Sequence, residues 1–230
     1  MRKTLVLLVI GVLILPLGLR AIPVKAAAEP DILITWKPLV YTPPGFEGRI
    51  LPVANARIVA SVTVVDNGRV ADLSGQTIYW YLNDEFIEGT ANKRTVEFRA
   101  PAEPNSRMDL RVEIPTYGNS GGILKTVEIP LLQPVVVIDA PFQKKMVSGE
   151  SFQVHALPYF FNVSRLSYLK FSWSADGKSA TNDDPTRLVV HIVPGTSSGY
   201  QTQLSLSALN PFGQDTFEGA DDSTVLTFVQ

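Results

Sequence analysis

A chain of 230 residues with a formal net charge of −2 and no cysteine has room for one large domain or two small ones. It has no disulfide staples, thiolate metal sites, Cys nucleophile or lipobox. The basic residues Arg2, Lys3, Arg20 and Lys25 lie in an N-terminal segment without acid, and removing that segment shifts the net charge to −6. A mildly acidic remainder without Lys/Arg clusters is a poor ligand for phosphates, which sets nucleic acid aside.

Residues 1–28 read as a targeting segment: Arg2 and Lys3 form the positive end, Leu5–Leu15 the apolar stretch, and Ala26, Ala27 and Ala28 an A-x-A cleavage site. The alternative is an uncleaved N-terminal anchor. The apolar run stops at Leu19, short of the ~20 residues that a spanning helix wants, so cleavage is the first reading. In both cases the positive end stays in, and the rest of the chain is expected to be secreted or on the cell-surface or periplasmic side of the membrane.

The remainder reads as strands and turns. Ile32–Trp36 is a strand. The stretch from Lys37 to Arg49 carries Pro43 and Pro44, which lack an N–H and fix φ, so it reads as an extended arm or edge crossing. Ala56–Val65 is β-branched on both faces, D-N-G at Asp66–Gly68 marks a turn, and I-Y-W-Y-L-N-D follows at Ile78–Asp84. Alternating patterns at Thr95–Ala100, Leu110–Ile114 and Lys125–Leu131 complete a first set. Gln133–Pro141 lacks Ser/Gly flexibility and opens a second set: Phe152–Leu157, F-S-W-S-A-D-G at Phe171–Gly177, Arg187–Val193, Gln201–Ala208 and Thr224–Val229.

Aligning Trp80 with Trp173 brings Val96–Ala100 opposite Val189–Val193, and Leu110–Ile114 opposite Leu204–Ala208 after one inserted residue. A repeat of short strands with a Trp in mid-strand predicts an all-β chain: two consecutive immunoglobulin-like antiparallel sandwiches, residues 29–133 and 134–230, with Trp80 and Trp173 as core plugs. No helical periodicity persists after residue 28.

The Trp-containing strands resemble those of the immunoglobulin-like and PKD-like β-sandwich modules of bacterial surface proteins. F-S-W-S-A-D-G matches the aromatic-x-Trp-x-x-x-Asp-Gly-like strand end, without the second Gly and aromatic of the full motif. L-S-L-S-A-L-N-P-F-G at Leu204–Gly213 looks like the penultimate strand of such modules. The order of I-T-W, Y-T-P-P-G-F-E-G-R-I-L-P, A-L-P-Y-F-F-N, L-K-F-S-W-S-A-D-G-K and A-L-N-P-F-G is similar to an uncharacterised family of exported two-domain proteins from ultrasmall candidate-phylum bacteria. That resemblance implies a fold and a location, and no activity.

No residue pattern selects chemistry. His155 and His191, the two histidines, fall on the outer faces of their strands and on different strands. G-x-S-x-G and S-x-x-K are absent from the sequence. The chain is therefore expected to be non-enzymatic, with no cofactor. Asp183 and Asp184, and Asp221 and Asp222, are candidate calcium ligands, but D-x-[DN]-x-[DN]-G spacing is missing and solvated turn acids are the plainer reading.

Tyr41 and Phe46, and Tyr159, Phe160 and Phe161, are the densest loop aromatics. They would either form a ligand-facing platform for sugars or close the open end of a sandwich. The expected function is an extracytoplasmic structural or protein-binding module of the cell envelope, with another extracytoplasmic protein as partner. The two alternatives are a carbohydrate-binding module using those aromatics, with a glycan as partner, and an accessory of a surface filament or secretion machine anchored through residues 1–28.

Overall fold

The computed structural model describes residues 29–103, 105–118, 121–213 and 217–230. The expected targeting segment lies outside them. The first set of strands is β1 (Asp31–Pro38), β2 (Arg57–Asp66), β3 (Arg69–Val70), β4 (Thr77–Leu82), β5 (Glu85–Ala91), β6 (Thr95–Arg99), β7 (Arg107–Ile114) and β8 (Ile123–Pro130). The second is β9 (Val135–Asp139), β10 (Met146–Val147), β11 (Ser151–Tyr159), β12 (Lys170–Ala175), β13 (Lys178–Ala180), β14 (Arg187–His191), β15 (Gln201–Asn210) and β16 (Glu218–Phe228). Helical structure among the described residues is confined to two 3-10 turns, Gln143–Lys145 and Leu166–Tyr168, and none of it is long enough to cross a membrane.

In the first unit β2 pairs with β1 on one side and with β3 and β6 on the other, while β5-β4-β7-β8 forms the facing sheet. In the second, β14-β11-β9 faces β10-β16-β15-β12-β13. In both units the Trp strand and its partner cross to the second sheet and the next strand returns to the first. This is the exchange of an immunoglobulin-like sandwich. A short parallel pairing near the end of each unit repeats as well: β10 with β16, and an isolated bridge from Val53 to Leu132.

Alternation builds the cores. In β2, Ile58, Ala60, Val62 and Val64 point inward, and in β15 Leu204, Leu206 and Ala208 do. Two separate buried clusters result, one between residues 32 and 131 around Trp80, the other between 136 and 226 around Trp173. Both indoles are buried, and each N–H is satisfied: Trp80 Nε1 donates to the Lys93 carbonyl at 2.9 Å and Trp173 Nε1 to the Pro185 carbonyl at 2.9 Å. An indole buries roughly 200 Å², worth about 5 kcal/mol of transfer at ~25 cal/mol per Å². An orphaned N–H would erode that by about 1–3 kcal/mol.

Three two-residue hairpin turns fix the register: Asn67-Gly68, Asn83-Asp84 and Asp176-Gly177, every one of these residues at positive φ. Two left-handed residues in succession are what a type I′ turn requires, which is why Asn, Asp and Gly occupy them.

The acids expected in the last turn instead belong to a longer strand. β16 pairs in register with β15 from Asn210↔Glu218 to Gln201↔Thr227, so Asp221 and Asp222 sit within the sheet. Asp221 lies across from Ser207 on the outer face, while the Asp222 carboxylate accepts the Ile138 N–H at 2.7 Å and ties β9 to the opposite sheet.

Candidate functional site

The link between β1 and β2 is the arm expected from the two prolines. It leaves the first sandwich, touches the second and returns. Leu39 N–H donates to Arg57 O at 2.8 Å; then Tyr41 N–H donates to Phe161 O at 2.7 Å and Phe160 N–H to Tyr41 O at 2.8 Å, a bridge between the two units. Pro44 and Gly45 form a turn closed by Phe46 N–H to Pro43 O at 3.2 Å, with Gly45 at φ 81, the combination of a type II turn. Phe46 then folds back over Gly48, where any Cβ would collide with its ring. The return is fixed by Leu132 N–H to Pro52 O at 2.9 Å and Asn55 N–H to Pro101 O at 3.1 Å.

The two aromatic runs singled out in the sequence meet at this joint. Phe46 packs edge-on against Tyr159 and Phe160, both at 5.6 Å between centroids. Tyr41, Phe46, Tyr159 and Phe160 are half-buried in that contact, whereas Phe161 is fully buried in the second core and faces no ligand. Phe160 has φ 62, which breaks the alternation of β11 and turns the next side chain inward.

A polar network lies beneath the rings. Asn162 donates its backbone N–H to Glu218 Oε1 at 2.5 Å and its side-chain amide to Asn55 O at 3.2 Å. Asn210 Nδ2 donates to Glu218 Oε2 at 2.6 Å, and its Oδ1 accepts Phe212 N–H at 3.0 Å. Glu218 is 8% exposed. Burial pushes its pKa up, and the bonds from Asn162 and Asn210 oppose that shift.

Around this network runs a groove that crosses the joint. Tyr168 and Phe212, edge to face at 6.3 Å, wall one end, a cleft of about 420 Å³. Arg57 and Arg99 of the first unit line the next stretch with Asn162, Asn210 and Phe212, about 380 Å³. Lys37, Thr42, Arg57 and Ser164 border a third, about 540 Å³. No sequence pattern pointed to Arg57, Arg99, Tyr168 or Phe212, because they come together only through cross-strand register and the docking of loops. Asn210 was legible only as a turn residue.

Two other concavities belong to the second unit. The outer face of β12, β15 and β16 presents Ser172, Ser174, Ser205, Ser207 and Ser223 with Asp221, and no His or Lys lines it to activate a hydroxyl. The far pole holds a cleft of about 500 Å³, floored by Phe152, Val190 and Phe228 and rimmed by Asp176 and Tyr200. His155 and His191 are exposed on neighbouring strands of the smaller sheet.

Of the candidate calcium ligands, Asp184 and Asp222 accept hydrogen bonds within the fold. Asp184 accepts the backbone N–H and the hydroxyl of Thr186 at 2.9 and 2.6 Å, which hold its pKa below the usual carboxylate range, and Asp183 is exposed. Among the described residues no three His, Asp or Glu side chains converge.

No family model and no curated protein matches the chain. Solved structures similar to it include the fibronectin(III)-like modules of Clostridium thermocellum CbhA, at 14% identity over 85% of this chain and 93% of that one, with a TM-score of 0.29. Three N-terminal domains of the bacteriophage RB49 capsid protein Hoc align at 11% identity over 87% and 71%, TM-score 0.31. Bacteroides ovatus SGBP-B, in complex with a mixed-linkage heptasaccharide, aligns at 17% over 88% and 48%, TM-score 0.24. By its strand exchange and its two cores, the chain is a tandem immunoglobulin-like β-sandwich protein.

Proposed function

We propose that the chain is a non-enzymatic, extracytoplasmic structural module of the cell envelope, exported through residues 1–28. Its two sandwich domains, 29–133 and 134–230, act as one stiff body that presents the joint face to a partner outside the cytoplasm. The observation that carries this reading is the arm. Residues 39–55 leave one unit, pair backbone to backbone with the next at Tyr41 and Phe161, seat Phe46 between Tyr159 and Phe160, and return. A flexible tether needs none of these contacts. The link from Pro130 to Val135, which contains Pro134, is too short to let the units separate.

The test is a comparison of small-angle scattering from the purified chain and from a variant with residues 42–49 replaced by a Gly-Ser segment of equal length. The wild type should fit one rigid envelope and the variant should need an ensemble. Identical curves that both need an ensemble would end this reading. Turnover of a generic ester, peptide or glycoside substrate would end the non-enzymatic part.

A further inference from the structure

Arg57 of β2 lies directly across from Arg99 of β6. Like charges opposite one another on a sheet are unfavourable, and this pair is only partly offset. Arg57 Nη1 meets Glu97 at 3.1 Å, while Arg99 Nη1 donates to the backbone carbonyl of Asn55 at 3.3 Å and, among the described residues, forms no ion pair. Both guanidiniums line the groove, whose opposite wall is Phe212, 72% exposed and braced edge-on by Tyr168. The polar part of the remaining lining is Lys37, Thr42, Asn162, Ser164 and Asn210, beside apolar Val40, Ile50 and Val163.

We propose that this groove binds an acidic oligosaccharide, a chain of sugar rings that bear carboxylates. A carboxylate between Arg57 and Arg99 accepts from guanidinium forks of matching planar geometry and offsets the repulsion built into the register. The apolar face of a neighbouring ring stacks on Phe212, and hydroxyls reach the amide and hydroxyl rim. An acidic peptide fits less well. Peptides add to an unpaired strand edge or fill apolar pockets, but at this groove Leu39 and Tyr41 already spend their N–H groups on Arg57 and Phe161, and the cleft between the arginines is mainly polar. The proposal rests on the stiff-body reading, because the groove takes its arginines from one unit and Phe212 from the other. A chain that scatters as one rigid body and binds no uronate would overturn the proposal alone.

Affinity electrophoresis and calorimetry of the purified chain test it with oligomers of galacturonate, alginate and hyaluronan, the same galacturonate oligomer with its carboxyls reduced to alcohols, and an oligoglutamate of equal charge. At least one uronate oligomer should bind, weaken as salt rises, and lose tenfold or more in affinity on carboxyl reduction. Arg99→Gln and Phe212→Ala should each cost tenfold or more. Arg99→Gln should leave the thermal midpoint unchanged or raised, an outcome that a purely structural arginine does not give. Arg107→Gln, on β7 and outside the groove, should bind as wild type. Binding to none of the uronates, equal binding to oligoglutamate, or full retention by both groove variants would overturn the assignment.

Discussion

Asn83 and Asp176 hold the same position in successive units, three residues after the buried Trp, and do the same work. Asn83 donates its N–H to Asp109 O at 2.9 Å and accepts Asp109 N–H on its side-chain oxygen at 2.9 Å. Asp176 does the same with Gln203, at 2.9 and 2.8 Å. The polar residue after each Trp strand therefore clamps the hairpin turn to the start of the strand three places on, β7 after β4 and β15 after β12. In the second unit the clamp has grown: Tyr200 and Thr202 hydroxyls also donate to Asp176, at 3.0 and 3.2 Å.

These donors, the Gln203 backbone N–H first among them, lower the Asp176 pKa. A carboxylate with a depressed folded pKa stabilises the fold above its unfolded value of about 3.9, and that contribution is lost as pH falls through the folded value. Asp176→Asn keeps the two backbone bonds, as Asn83 shows, and should remove only this acid-linked part. Asp176→Ala should remove both. Urea unfolding between pH 2 and 7 checks the order: equal losses in the two variants at neutral pH would contradict it.

Trp80→Phe leaves the Lys93 carbonyl without its donor and a gap in the first core. It should cost about 1–3 kcal/mol for the lost bond, plus a cavity contribution. Trp173→Phe should do the same to the second core through Pro185. Amide exchange separates them: Trp80→Phe should lower protection in β4 and β7 and spare β12 and β15, and Trp173→Phe should do the reverse. Uniform loss in both units from one substitution would contradict two separate cores.

Glu218 behaves oppositely to Asp176. Burial raises its pKa, so the stability it allows is full below the unfolded value of about 4.3 and is lost as pH rises through the raised folded value. Glu218→Gln cannot ionise. The stability of wild type minus variant should therefore fall as pH rises above about 4.3 and through the raised folded value. A difference that stays flat or rises with pH would contradict the buried placement beneath Asn162 and Asn210.

The units were legible in the sequence because they rest on local signals: Trp in mid-strand, alternation along β2, β6 and β15, and N-G, N-D and D-G where two left-handed residues are needed. The prolines also marked the arm as something other than a central strand. The joint rests on long-range pairings without a local signature. Arg57 and Arg99 are 42 positions apart and become neighbours only through strand register. Phe161 looks equivalent to Tyr159 and Phe160 in the sequence because the left-handed turn at Phe160 has no glycine to announce it. Asp221 and Asp222 look like turn acids because alternation through Gly219 and Ala220 is weak, yet in-register pairing with β15 carries the strand through them.

Measurement of ¹⁵N relaxation across both units, in wild type and in Phe46→Ala, tests the stiff joint most directly. The account predicts that amides of β4 and β7 and of β12 and β15 share one rotational diffusion tensor in wild type, and separate into two in Phe46→Ala, which removes the ring from between Tyr159 and Phe160. Independent tumbling of the two units in the wild-type chain would contradict it.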